Sequence, residues 1–107
     1  MFKKDIEAGM GLLDEHYHNQ SWVLMIDLGE LDLKSGCNCI LGQLVGDYDQ
    51  GLDEMNVQGD GSEYGFAVDL EWQRMENDEE NASKLWDKLT EEWIEAIKRR
   101  IDLGLEV

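Results

Sequence analysis

The run LWDKLTEEWIEAIKRRIDLG, residues 85 to 104, constrains the fold more than any other part of this chain. Trp86, Leu89, Trp93, Ile97 and Ile101 recur at intervals of three, four, four and four, which sets them along one stripe of an α-helix as a seam facing the core. Two tryptophans on one seam need an apolar partner, so the remainder of the chain has to fold back over this helix. Gly104 is the expected stop. Lys98, Arg99 and Arg100 fall near the helix C-terminus, where positive side chains meet the negative end of the macrodipole.

The partners are shorter. Ile6, Met10, Leu13 and Tyr17 stand at helical spacing within residues 3 to 17 and predict an amphipathic first helix, weakened by Gly9 and Gly11. SWVLMIDL, residues 21 to 28, is apolar and partly β-branched; a short buried strand and a packed connector both fit it, and periodicity does not separate them. LDLKSG supplies turn residues with Ser35 as a helix cap, after which Cys39, Ile40, Gln43 and Leu44 mark a short helix. Leu52 and Met55 carry the apolar face past Tyr48 onto another, and NVQGDGSEYG is a Gly-rich turn. With 107 residues, 42% apolar content, no proline, no repeat and no linker composition, the expectation is one domain over 1–107. Its predicted class is mainly α, with α+β through a short strand or hairpin as the alternative.

Charge is the most conspicuous compositional fact: 25 Asp plus Glu against 9 Lys plus Arg, a formal net of −16, beside four Trp, three Tyr and two Phe. A disordered acidic tail would lack those aromatics, so the carboxylates are expected on the surface of a folded body. No Lys or Arg occurs between Lys34 and Arg74. Asp47, Asp49, Asp53, Glu54, Asp60, Glu63, Asp69 and Glu71 all fall in that interval, and they are the candidate partner-binding residues. Such a field repels nucleic acid and attracts basic surfaces. The opening residues place Asp5 and Glu7 where a signal peptide would need an apolar stretch. The longest apolar run, Trp22 to Ile26, is far short of the ~20 residues that cross a bilayer. A cytoplasmic protein with reduced thiols is the resulting expectation.

Two sets of residues have the composition of a metal site, and their spacing or residue pattern separates them from one. Cys37 and Cys39 with His16 and His18 supply four zinc-type ligands, but structural zinc pairs sit as C-x₂₋₄-C and H-x₃₋₅-H so that both side chains converge from one turn. The bland reading is preferred: Cys39 leads the apolar face of a short helix as a small hydrophobe. DGSEYGFAVDLE, residues 60 to 71, places Asp60, Ser62, Gly65 and Glu71 at the first, third, sixth and twelfth positions of an EF-hand loop. Tyr64 and Ala67 break that pattern, and a Gly-rich turn whose Tyr64 and Phe66 tuck into the core explains it without calcium. The expectation is therefore no cofactor and no metal. Nothing has the form of a phosphate loop, a nucleophile elbow or a dinucleotide fingerprint, so an enzyme is not expected.

The segments IEAGMGLLDEHY, WVLMIDLGELDL, GCNCILGQLVGDYDQGL, EYGF and LWDKLTEEWIEAI, in that order, resemble a group of small proteins of phages, prophages and Gram-positive genomes. The similarity covers most of the chain and is most specific at Cys37-x-Cys39 followed by Ile40-Leu41-Gly42-Gln43-Leu44 and Gly46-Asp47-Tyr48. It implies a small, mostly helical domain in a mobile-element setting, and it carries over no catalytic residue.

Two functions of different class follow. In the first, the chain is a phage-encoded acidic inhibitor that mimics nucleic acid and occupies the basic cleft of a host or defence protein, a CRISPR-type nuclease being one example. Duplex DNA offers one charge per ~1.7 Å of axis, about fifteen over 25 Å, and the acids of residues 47 to 80 approach that density on a domain whose radius of gyration is ~13 Å. In the second, the chain is a small adaptor, structural phage protein or calcium module, homodimeric in one version, whose acidity only keeps it in solution.

Overall fold

The computed structural model describes residues 2–17, 21–59, 61–69 and 78–103. It is mainly helical, with no strand among the described residues. The elements are α1 (Lys3–Tyr17), a 3₁₀ turn (Ser21–Met25), α2 (Ile40–Val45), α3 (Tyr48–Glu54), a second 3₁₀ turn (Ser62–Tyr64) and α4 (Glu79–Asp102). The strand alternative for residues 21–28 is thus corrected. Trp22 and Val23 are buried while Leu24 and Met25 are exposed, a two-in, two-out order that a tight helical turn produces and an alternating strand cannot.

The core is built around α4. Its inward line is Ala82, Leu85, Leu89, Trp93 and Ile97, which corrects both ends of the predicted seam. Trp86 is only partly buried and Ile101 is 44% exposed. The intervals are three or four either way, so periodicity alone could not choose between Leu85 and Trp86 at the N-terminal end. Asp78 caps the helix by accepting from Asn81 N–H at 3.1 Å, and Arg99 and Arg100 occupy the last turn. Gly104, the predicted stop, lies outside the described residues.

Against α4 lie Ile6, Met10 and Leu13 of α1, Trp22 and Val23, and Phe66 of the Gly-rich segment. Trp93 is the hub. Phe66 stacks on it at 5.8 Å between ring centroids with 11° between planes, and Trp22 meets it edge-on at 6.3 Å and 81°, arrangements that suit the aromatic quadrupole. Gly9, expected only to weaken α1, is where the Tyr64 carbonyl presses against the helix, and Gly65 sits at φ 71° with its open side against the Ile6 backbone. The second 3₁₀ turn can lie on α1 because neither glycine carries a Cβ.

Residues 26–39 form a chain of side-chain-closed turns. Asp27 Oδ1 accepts from Gly29 N–H at 3.0 Å, Asp32 Oδ1 from Lys34 N–H at 3.1 Å, and Ser35 Oγ from Cys37 and Asn38 N–H at 3.3 and 3.2 Å. Ser35 is therefore a turn residue, and the cap of α2 is Cys39, whose Sγ accepts from Gly42 N–H at 3.2 Å. Gln43, one of the residues whose spacing predicted the helix, grips the neighbouring segment. Its amide accepts from Asp27 N–H at 2.6 Å and donates to Asp27 O at 3.1 Å.

Candidate partner-binding surface

Helix α3 presents the densest group of predicted site residues, for a reason that begins inside. Gly51 and Leu52 are buried, and a Cβ on Gly51 would stand 2.8 Å from Leu41 Cβ, so α3 lies close on α2 with that face inward. Asp49, Asp53 and Glu54 are then turned out to solvent. Asp47 is the N-cap: its Oδ2 accepts from Gln50 N–H at 3.2 Å. Asp49 and Asp53 are one turn apart, a like-charge pair that costs a short helix a few tenths of a kcal/mol. Among the described residues none of these four carboxylates is in an ion pair; the pairs present are Lys84–Glu80 and Arg100–Asp14. Glu54 also stands near the C-terminal end of α1, where its charge adds to burial in raising the Tyr17 phenol above its usual pKa.

The other predicted acids are dispersed. Glu63 is exposed on the second 3₁₀ turn and Asp69 is half-buried beyond Phe66. Their segment runs between α1 and α3, with Gly65 on Ile6 at one end and Gly61 on Tyr48 and Leu52 at the other. Asp60 and Glu71 lie outside the described residues, and with them both ends of the EF-hand-like loop. Within its described part, Phe66 is 1% exposed and Gly65 O accepts from the Trp93 indole at 2.6 Å, so core packing accounts for the turn. The zinc set is not assembled in its described members. Cys37 is exposed, Cys39 is buried, and His16 is exposed at the end of α1; His18 lies outside the described residues. Among the described residues no group of three or more His, Cys, Asp or Glu side chains is placed so that it could hold a metal ion.

Among the described residues, concavities include the following three. A recess of about 270 Å³ between α3 and α4 is lined by Asp47, Tyr48, Asp49, Trp86 and Lys34, among others. A depression of about 570 Å³ beside the 29–38 turns holds Glu30, Asp32, Asp87 and Glu91, four carboxylates that the interval free of lysine and arginine did not reveal because two precede Lys34 and two come from α4. The third, about 530 Å³, runs between α1 and α4 over Met10, Gly11 and Ala96 with charges of both signs at its rim. The aromatic recess was missed because Trp86 had been assigned to the seam. Its flanks, Asp87 and Lys88, gave no signal that Trp86 stays only partly buried and lines a recess.

No helix among the described residues is long and apolar enough to cross a membrane. Comparison with known proteins gives no matching family model, no matching curated protein and no matching solved structure.

Proposed function

We propose that this protein is a phage-encoded acidic inhibitor that acts in the host cytoplasm by binding, without catalysis, the basic nucleic-acid cleft of a host or defence protein. A CRISPR-type nuclease, whose guide and target channels are strongly positive, is one target that fits. The observation that carries this reading is α3: a seven-residue helix with Asp49, Asp53 and Glu54 outward and Asp47 at its cap, none of them ion-paired among the described residues. Unpaired like charges one turn apart cost local stability. A carboxylate array held rigid by its buried Gly51 and Leu52 face can stand where phosphates stand, and it is pre-organised before the partner arrives. The phage setting is the one that the resemblance of the sequence segments implies.

The test is capture of the tagged protein's partner from its host, set beside a variant carrying Asp47→Asn, Asp49→Asn, Asp53→Asn and Glu54→Gln. Asparagine still caps α3, so the fold is retained. The expected result is a basic nucleic-acid-binding partner whose complex weakens steeply between about 50 and 200 mM salt, as charges screened over ~8–10 Å require, and which the variant does not hold. Equal retention by parent and variant, or a complex indifferent to salt, leaves the acids as a solvated face and favours the adaptor reading.

A further inference from the structure

We propose that the recess between α3, the turn at Leu33 to Gly36 and α4 receives one guanidinium group, an arginine side chain of the partner. This rests on the inhibitor reading and names the point at which the partner is gripped.

Size sets the first limit. At about 270 Å³ the recess falls below the roughly 300–1,000 Å³ of sites for cofactor-sized ligands, which leaves room for a side chain. Its wall combines two partly buried aromatics, Tyr48 and Trp86, with two exposed carboxylates, Asp47 and Asp49. An aromatic face attracts a cation through its quadrupole, and a carboxylate attracts it through charge. The two together distinguish this recess from the depression beside Asp87 and Glu91, which has carboxylates but no aromatic side chain.

The elements that carry these groups are fixed. Thr90 Oγ1 donates to Trp86 O and accepts from Leu33 N–H, each at 3.0 Å, so one hydroxyl ties the α4 wall to the turn wall. Tyr48 opens α3, and its hydroxyl end reaches the buried Gly61. Asp47 commits Oδ2 to the cap, leaving Oδ1, and the Asp49 carboxylate makes no hydrogen bond or ion pair among the described residues. A planar, weakly hydrated guanidinium can stack on an indole while donating to a carboxylate, which a compact, strongly hydrated ammonium does less well. Lys34 lines the same recess without an ion pair among the described residues, so this chain's own cation competes for the place.

The experiment is an NMR titration of the full chain with acetyl-Gly-Arg-Gly-amide and with the same peptide carrying citrulline, the neutral isostere. Saturable shifts of the Trp86 indole N–H and of the Tyr48 and Asp49 amides are expected with the arginine peptide and not with citrulline. Trp86→Leu, which changes no charge, should weaken binding about two- to thirtyfold, the range a cation–π contact spans, and Lys34→Ala should tighten it. If Trp86→Leu does not fold, Asp49→Asn against Glu63→Gln decides, since both remove one exposed negative charge and only Asp49 lines the recess. Equal losses from those two, shifts spread over all the acids, or equal response to citrulline would overturn the proposal. Failure of the two readings is separable. A salt-sensitive partner complex that Asp49→Asn weakens no more than Glu63→Gln removes the recess and leaves mimicry. An arginine peptide seated in the recess beside a salt-indifferent partner complex does the reverse.

Discussion

Trp93 Nε1 donates to the carbonyl of Gly65 across 2.6 Å in the buried centre of the molecule. The bond joins the middle of α4 to a left-handed turn 28 residues earlier, and Phe66, the next residue, stacks on the same indole. It gives the one polar atom of a fully buried tryptophan a partner, without which burial would cost about 1–3 kcal/mol.

Trp93→Phe should therefore destabilise through the orphaned Gly65 carbonyl as well as lost volume, and Trp93→Ala should cost ~3–5 kcal/mol, the range for emptying a large aromatic site. Urea denaturation followed by circular dichroism reads both. An unchanged midpoint for Trp93→Ala would reassign this residue to the surface.

The two glycines of α1 should respond oppositely to one substitution. At Gly11 a Cβ meets nothing within 4 Å, so Gly11→Ala is expected to stabilise by up to about 1 kcal/mol through helix propensity. At Gly9 a Cβ would run into the Tyr64 carbonyl and approach Trp93 to 3.3 Å. Gly9→Ala must displace the second 3₁₀ turn and should lower the melting temperature. Matching shifts of one sign would refute this assignment.

Asp14 accepts from the Trp22 indole at 2.9 Å and from Arg100 at 2.7 Å, and the Arg100 guanidinium lies 5.9 Å from the Trp22 ring centroid. Burial alone would raise this carboxyl. The hydrogen bonds from Arg100 and Trp22, with the Arg100 charge, outweigh that and hold it below its ordinary value. A depressed folded pKa contributes stability above the unfolded value of about 3.9, and this is lost as pH falls through the folded value. Asp14→Asn should cost roughly 2 kcal/mol at neutral pH, and the gap between variant and parent should narrow below about pH 4. Thermal melts from pH 7 to pH 3 measure it.

The cysteines should separate by reactivity. Cys37 is exposed, whereas burial chiefly pushes the Cys39 thiol up, against hydrogen bonds from the backbone. Ellman's reagent at pH 8 should find one thiol in the native protein and two in denaturant. Cys37→Ser should be neutral. Cys39→Ala loses both buried volume and the cap on Gly42 N–H and should cost about 1–2 kcal/mol, while Cys39→Ser restores the cap. Stoichiometric zinc in protein purified without added metal, lost with Cys37→Ser and Cys39→Ala together, would contradict the packing role.

Local pattern alone determined the helices. The spacing of Ile6, Met10 and Leu13 and of Leu89, Trp93 and Ile97 fixed α1 and most of the α4 core face, because a 3.6-residue period leaves one face for burial. The short helices around Ile40 and Leu52 were legible for the same reason, and the acidic character of α3 was legible from composition. Tertiary structure decided what period leaves degenerate or distance conceals. Leu85 took the fully inward position and Trp86 packs against the core from its edge, a choice that intervals of three and four leave open. Gly9 and Gly65 acquired their meaning only when α1 and the second 3₁₀ turn met. The start of the 21–28 segment, Ser21–Met25, became a 3₁₀ turn, with Trp22 reaching both Trp93 and Asp14. The aromatic recess joins Tyr48 to Trp86, 38 positions apart in the chain, a juxtaposition that no local signal encodes because only the fold sets the start of α3, the turn at residues 33–36 and α4 around one recess.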